Sequence, residues 1–270
     1  MGVLFDWKLV FSQIPDILRY LPTTVELTLV ATFIGYAIGL LLALVKIHRV
    51  PVLRQLAAFF ISIIRGTPIL VQLYITYYGI PLTLKYINLI HGTNYNINSI
   101  PPVIFAIIAL GLNQSAFDSE IIRAAIQSVD NGQLEAARAL GMTGGQVLRR
   151  VILPQAVTVA LPSLGNSLIG LIKGTSLAFT VAVIDMTAQG RILAGRNFRY
   201  FEAYCSLAII YWVITIALEK LFKYLEKRFS VPEEAPAAEK KVAGLIRAFR
   251  ASRNAAPRDG LKLPEPEENV

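Results

Sequence analysis

A single cysteine and two histidines are all that this chain of 270 residues offers to soft metals. Cys205 sits in an apolar run, so there is no internal disulfide framework, and His48 and His91 are too far apart to give a local metal-ligand spacing. Metal and redox chemistry are not expected. Charge is scarce too: 16% of the residues are Asp, Glu, Lys or Arg against 54% hydrophobic, with a mean hydropathy of +0.54. That is more apolar surface than one soluble core of this length needs, so a membrane protein is the first expectation. Enzyme signatures are missing as well. There is no H-E-x-x-H, no G-x-S-x-G and no G-x-x-x-x-G-K-[S/T] phosphate loop, so neither hydrolase chemistry nor ATP hydrolysis is expected of the chain itself. The N-terminus has no compact apolar core followed by a small-residue cleavage site, and is not read as a secretory leader.

What the chain does have is a series of apolar runs bordered by basic residues. The net charge of +8 is spread along their flanks, which fits a lipid bilayer with anionic headgroups and not nucleic acid. Residues 22–45 form the clearest span, with Glu26 its only charge near the N-terminal end and a Gly35/Gly39 pair that permits close helix approach. Residues 57–80 carry Arg65 and the pair Thr67-Pro68, and read either as a surface helix followed by a short span or as one span kinked at Pro68. An Asn-rich polar loop is expected over 81–102. A third span follows from about 103 to 122, a fourth over about 155–175, and a last one over about 201–219 that ends in the basic EKLFKYLEKRF. The run 176–186 is too short to cross and reads as re-entrant or loop-packed.

The expected fold is thus all-α, with about five transmembrane helices after an N-terminal segment of residues 1–20. Eleven Lys and Arg flank the segments placed inside, against six outside, which sets the N-terminus outside and the C-terminus inside. The tail, 229–270, is rich in Pro, Glu and Ala and reads as disordered, apart from a possible amphipathic helix carrying Val242, Leu245, Ile246 and Phe249.

This topology leaves a soluble-looking stretch, residues 130–154, on the cytoplasmic side. Asp130 or Asn131 caps a first helix, QLEAARAL, and Gly141 supplies the left-handed residue that ends it. Thr143 with Gln146 forms a capping box for a second helix, which should stop before Pro154. The first helix exposes Ala136, Ala137 and Ala139 with Leu140, while Glu135 is placed to pair with Arg138. Local physics permits docking here and equally permits a plain interspan loop.

The register of this stretch, EAARALGMTGGQVLRRVILP, resembles the E-A-A, Gly, Ile-x-Leu-Pro signature of the membrane subunits of ABC importers. Glu135, Ala136, Ala137, Gly141, Leu153 and Pro154 match, and Val151 stands where Ile is usual. IIRGTPILVQLYITYYGIP, NQSAFDSEIIRAAIQSVDNGQLEAARALG and ALPSLGNSLIGLIKGTSLAF are similar to the polar amino acid, HisMQ-like branch of that family. The resemblance implies a type I importer permease in a bacterial cytoplasmic (inner) membrane. Two such subunits form a pore, as two copies or a copy and a homologue. An external binding protein delivers polar or cystine-like amino acids, and a cytoplasmic ATP-binding subunit hydrolyses ATP, with no cofactor on this chain. Glu135, Ala136, Ala137, Leu140 and Gly141 are then the coupling residues. An ion-coupled secondary transporter, or a permease for another small solute, is the alternative.

For the translocation path the candidates are the polar residues within spans: Arg65, Asn113, Gln114, Ser115, Asp118, Glu120 and Asn166. Polar groups at that depth face a bundle interior or a water-filled cavity. Glu120 with Arg123, three residues on, is also consistent with a simple interfacial pair.

Overall fold

Asp6 opens the helical structure: its carboxylate accepts from the backbone N–H of Lys8 at 2.9 Å and of Leu9 at 3.3 Å, capping α1, Trp7–Ser12. The structure, a computed structural model, describes residues 5–229, so the tail and its proposed amphipathic helix lie outside the described residues. A second short helix, α2 (Ile14–Leu18), leads into α3 (Leu21–Ile47). Pro22 stands in the first turn of α3, and Thr24 lies inside the helix instead of capping it. Its hydroxyl donates to Tyr20 O and accepts from Met186 N, both at 3.4 Å, tying α3 to a segment far along the chain.

The chain breaks at Thr67 and Pro68, both in extended conformation, between α4 (Pro51–Gly66) and α5 (Ile69–His91). The residue before a proline is pushed out of the helical region. The two helices meet at a bend of 109°, a sharp break at the Thr67-Pro68 pair that the sequence marks. On α4 the apolar Val52, Leu53, Leu56, Phe59 and Ile63 are exposed, a face suited to lying in lipid. The expected polar loop over 81–102 needs correction. The helix runs through Pro81 to His91 and stops at Gly92, whose φ is +62°. Leu82, Leu84, Ile87, Leu89 and Ile90 continue the apolar pattern there, and the Asn-rich composition hid them. The remaining loop folds back on Asn88, which accepts from Thr93 Oγ1 at 2.8 Å and Tyr95 N at 3.0 Å.

The central helix is α6 (Pro102–Gln127). It packs closest against α3, because a Cβ on Gly39 would stand 3.1 Å from Ser115 O and 3.2 Å from Ser119 N. The Gly35/Gly39 pair therefore does what its spacing allows. Beyond α6 come α7 (Asn131–Ala139) and α8 (Gly144–Val147), then a π-turn over Leu148–Ile152, α9 (Leu153–Gly174) and a 3₁₀ stretch, Thr175–Val181. That stretch and Val183 are packed into a core with Leu27, Leu73, Ala106 and Ala109, matching the loop-packed reading. Two helices close the chain, α10 (Met186–Asn197) and α11 (Tyr200–Phe229).

Among the described residues four helices are long and apolar enough to span a bilayer, and α4 with α5 meets the same test as a bent pair. The N-terminal segment is docked on α11: Ser206 Oγ donates to Val10 O at 2.7 Å, and the buried Glu202 accepts from Asp6 N at 3.3 Å. Ser206→Ala is expected to cost about 1 kcal/mol. Hydrogen exchange should then speed up at residues 7–12 and stay slow along α6.

Candidate translocation cavity and coupling helix

Four helices converge on an open cavity of about 610 Å³: the end of α4, the start of α5, α6 from Leu110 to Ile121 and α9 from Ser163 to Gly174. From the predicted path residues it is lined by Arg65, Asn113, Gln114, Glu120 and Asn166. Phe117, Ser163 and Ser167 join them, and the sequence reading did not single these out. Ser167 had a signal, since Asn166-Ser167 is a polar pair in an apolar helix.

Two path assignments are corrected. Ser115 is fully buried, its hydroxyl donating to Leu112 O at 2.7 Å, and its backbone forms the contact with Gly39. Asp118 is also fully buried and does not line the cavity. It stands behind the wall, with Oδ1 accepting from Ser167 Oγ at 2.6 Å and from Gln114 Nε2 at 3.2 Å. Neighbouring helical residues project about 100° apart, so a polar run on one helix cannot all face one cavity.

Glu120 is partly in the wall, but its carboxylate is held by Lys46 Nζ from the last turn of α3 and by Arg123 Nη2 at 2.7 Å. This is the interfacial reading of that residue, with Lys46 added. Arg65 lies over the ring of Phe117, its guanidinium carbon 5.3 Å from the centroid. Among the described residues it has no carboxylate partner.

Gln72, behind the cavity wall, is a residue that the sequence reading did not single out. It is buried in α5, and its Nε2 donates to Ile64 O at 2.7 Å, Thr67 Oγ1 at 2.8 Å and Thr67 O at 3.1 Å. Its Oε1 accepts from Asn113 Nδ2 at 3.0 Å. One amide thus caps the broken end of α4 and locks it to α6 beside the cavity. Gln72→Leu should lower the thermal midpoint in detergent, since each stranded carbonyl or amide costs roughly 1–3 kcal/mol. Gln72→Glu, which keeps acceptors but loses the donors, should do nearly the same.

The helices α7 and α8 match the capping analysis. Asp130 accepts from Gly132 N at 2.6 Å, and the Thr143–Gln146 capping box is closed in both directions. Gly141 has φ +78°, with Gly141 N donating to Arg138 O at 2.9 Å and Met142 N to Ala137 O at 3.2 Å, the paired bonds of a Schellman end. Glu135, Ala136, Ala139 and Leu140 are exposed, Leu140 at 84%. Ala137 is the exception: at 5% exposure it packs inward and offers no docking surface, because it lies on the face of α7 turned to the rest of the chain. Glu135 makes no ion pair with Arg138.

The expected stop before Pro154 is also corrected. The π-turn, closed by Leu153 N donating to Leu148 O, carries α8 into α9 without a break, and Pro154 falls in the first turn of α9 where its missing N–H is harmless. Gln155 Nε2 donates to Gln133 Oε1 at 2.6 Å, so α7 is fastened to the same helix.

The profile of the family described as "Binding-protein-dependent transport system inner membrane component" matches residues 35–231. The chain belongs to this family of transport permease subunits. It is 43% identical over 227 residues to "Probable amino-acid permease protein YxeN" of Bacillus subtilis (strain 168), covering 84% of this chain and 97% of that protein. It is 38% identical over 228 residues to "L-cystine transport system permease protein TcyL" of the same organism, covering 84% and 93%. A solved structure, "Crystal structure of an amino acid ABC transporter with histidines", superposes with a TM-score of 0.71 at 38% identity, covering 84% of this chain and all of that one. The all-α, multi-pass architecture of this permease is that of ABC importer membrane subunits. Its setting is the inner membrane.

Proposed function

We propose that this permease subunit imports amino acids received from an external binding protein. A separate cytoplasmic ATP-binding subunit docks on α7 and drives transport, while a second copy of the chain or a homologue completes the pore. The observation that carries this reading is the continuous helical path from the exposed α7–α8 turn, through the π-turn, to the cavity wall on α9. A rigid element that moves with a docked ATPase would shift Asn166 and Ser167 relative to α6, and packed helix interfaces switch between discrete arrangements.

Amino acids as cargo are supported by the names of the relatives and of the solved structure. The path runs along Arg65, Asn113, Gln114, Glu120 and Asn166. The surplus of basic residues at 46–54, 123–154 and 220–228 supports a reading with the coupling loop and the C-terminus inside and the N-terminus outside. The chain itself binds no cofactor in this scheme, and ATP belongs to the partner.

The test is uptake of radiolabelled L-cystine and L-glutamine into proteoliposomes holding the chain with its ATP-binding subunit and binding protein. Uptake requires all components and ATP. Ion-driven uptake by the chain alone would mean a secondary transporter. ATP-driven uptake of other solutes, uncompeted by any amino acid, would mean a different cargo.

A further inference from the structure

Of the three amides in the cavity wall, Asn113 and Gln114 are oriented from behind, by groups that leave no choice of flip. Gln72 presents its nitrogen to three oxygens at the α4–α5 break, so its own oxygen must face Asn113. Asn113 therefore turns its nitrogen toward Gln72, and among the described residues no hydrogen bond engages its Oδ1. A carboxylate only accepts, so Asp118 in turn draws the nitrogen of Gln114, which also donates to Ser167 Oγ at 2.6 Å. Gln114 Oε1 is likewise unbonded among the described residues. Both amides thus keep a free carbonyl oxygen on residues that line the cavity.

The charges have the same sense. Asp118 Oδ2 is buried without a partner. The nearby cations Lys46 and Arg123 are both engaged by Glu120, so neither neutralises Asp118. An uncompensated buried carboxylate favours a positive charge close by, and the cavity lies one hydrogen-bond layer away through Gln114 and Ser167. At the α4 end of the same cavity, Arg65 has donors and no carboxylate.

From this we infer that the cavity is poled for a zwitterion. The substrate's carboxylate goes to Arg65 and its ammonium to the oxygens of Asn113 and Gln114, with Asp118 as a positioning residue that sets the amide orientation and the negative field without touching the substrate. The inference rests on the cavity's being the translocation path and adds the orientation of the cargo within it. It also gives Gln72 a second role, as the residue that aims Asn113.

The test uses the complete transporter, with Cys205→Ser as background and Asn166→Cys as a reporter in the cavity wall, outside both amide networks. The probes are the cationic trimethylammonioethyl and the anionic sulfonatoethyl methanethiosulfonates. Asp118→Asn keeps an acceptor for Ser167 and removes the charge. It is expected to lower the cation-to-anion labelling ratio roughly two-hundredfold, since a unit charge acting near 10 Å at an effective dielectric near 20 changes the labelling by each probe about fifteenfold, in opposite senses. Arg65→Gln is expected to raise the ratio by a similar factor. A purely structural Asp118 would leave the ratio at its unsubstituted value, and a ratio indifferent to both substitutions overturns the poled arrangement. Labelling unchanged by trapping with ATP and vanadate overturns the path reading on which the inference rests, whatever the ratio does.

Discussion

Glu135→Lys is expected to abolish uptake and the stimulation of ATP hydrolysis by loaded binding protein, with the chain still inserted in the membrane at its normal level. The side chain is exposed and makes no ion pair among the described residues, so the fold they form does not depend on it. Exposed substitutions of this kind change stability by about 0.5 kcal/mol or less. A functional loss must then arise at a partner surface. The neighbouring turn supplies a second arm of the same experiment. No atom lies within 4 Å of a Cβ built on Gly141, so the constraint there is its φ of +78° and not space. Asn enters the left-handed region readily and a β-branched residue does not, the penalty being roughly 1–2 kcal/mol. Gly141→Asn should keep uptake and Gly141→Val should lose most of it. If Gly141→Val transports normally, or if Glu135→Lys fails to insert, the assignment of α7 as the coupling element is wrong.

Gly39→Val is expected to cause the largest loss of folded protein. Its Cβ would meet the backbone of α6 at 3.1 and 3.2 Å, and a helix backbone cannot turn aside as a side chain does. Overpacking at one site usually costs about 1–3 kcal/mol, and the extra methyls of Val press the same backbone. Gly35→Ala acts differently. Its methyl would stand 2.7 Å from Gln114 Cγ and 2.8 Å from Gln114 Cβ, so Gln114 must shift and its bonds to Asp118 and Ser167 are disturbed. Recovery of monodisperse protein in detergent should fall steeply for Gly39→Val and modestly for Gly35→Ala, while uptake per folded molecule should fall for Gly35→Ala. Gly79→Ala is the control: no atom lies within 4 Å of its Cβ, and Ala is favoured over Gly inside a helix by roughly 1 kcal/mol. Equal recovery of Gly39→Val and Gly79→Ala would remove the close α3–α6 contact from the account.

Much of the scaffold was legible because it depends on local chemistry. The first and last spans declare themselves by length and apolarity. Asp130, Gly141, Thr143 and Gln146 shape α7, α8 and the turn between them through bonds to residues at most five positions away, which is why their structural roles are legible from spacing alone. Two local readings failed, for different reasons. The Asn-rich composition of 81–102 hides the continuation of α5 to His91, and Pro154, which reads as a stop, falls in the first turn of α9 after a π-turn, a bonding pattern that leaves no periodic trace in five residues.

The cavity was less legible. Asn113, Gln114, Ser115, Asp118 and Glu120 look alike as polar residues in an apolar helix, and the sequence by itself determined only that α6 carries them. Which face each one takes was decided in the tertiary structure. The glycines of α3 admit α6 so closely that Ser115 and Asp118 are sealed against α3, while Lys46 reaches across to hold Glu120. Gln72, from a helix 41 residues earlier, sets which end of Asn113 is free. Capping and span length act over one or two turns of chain, whereas the burial of a side chain and the direction of an amide depend on what another helix brings to it.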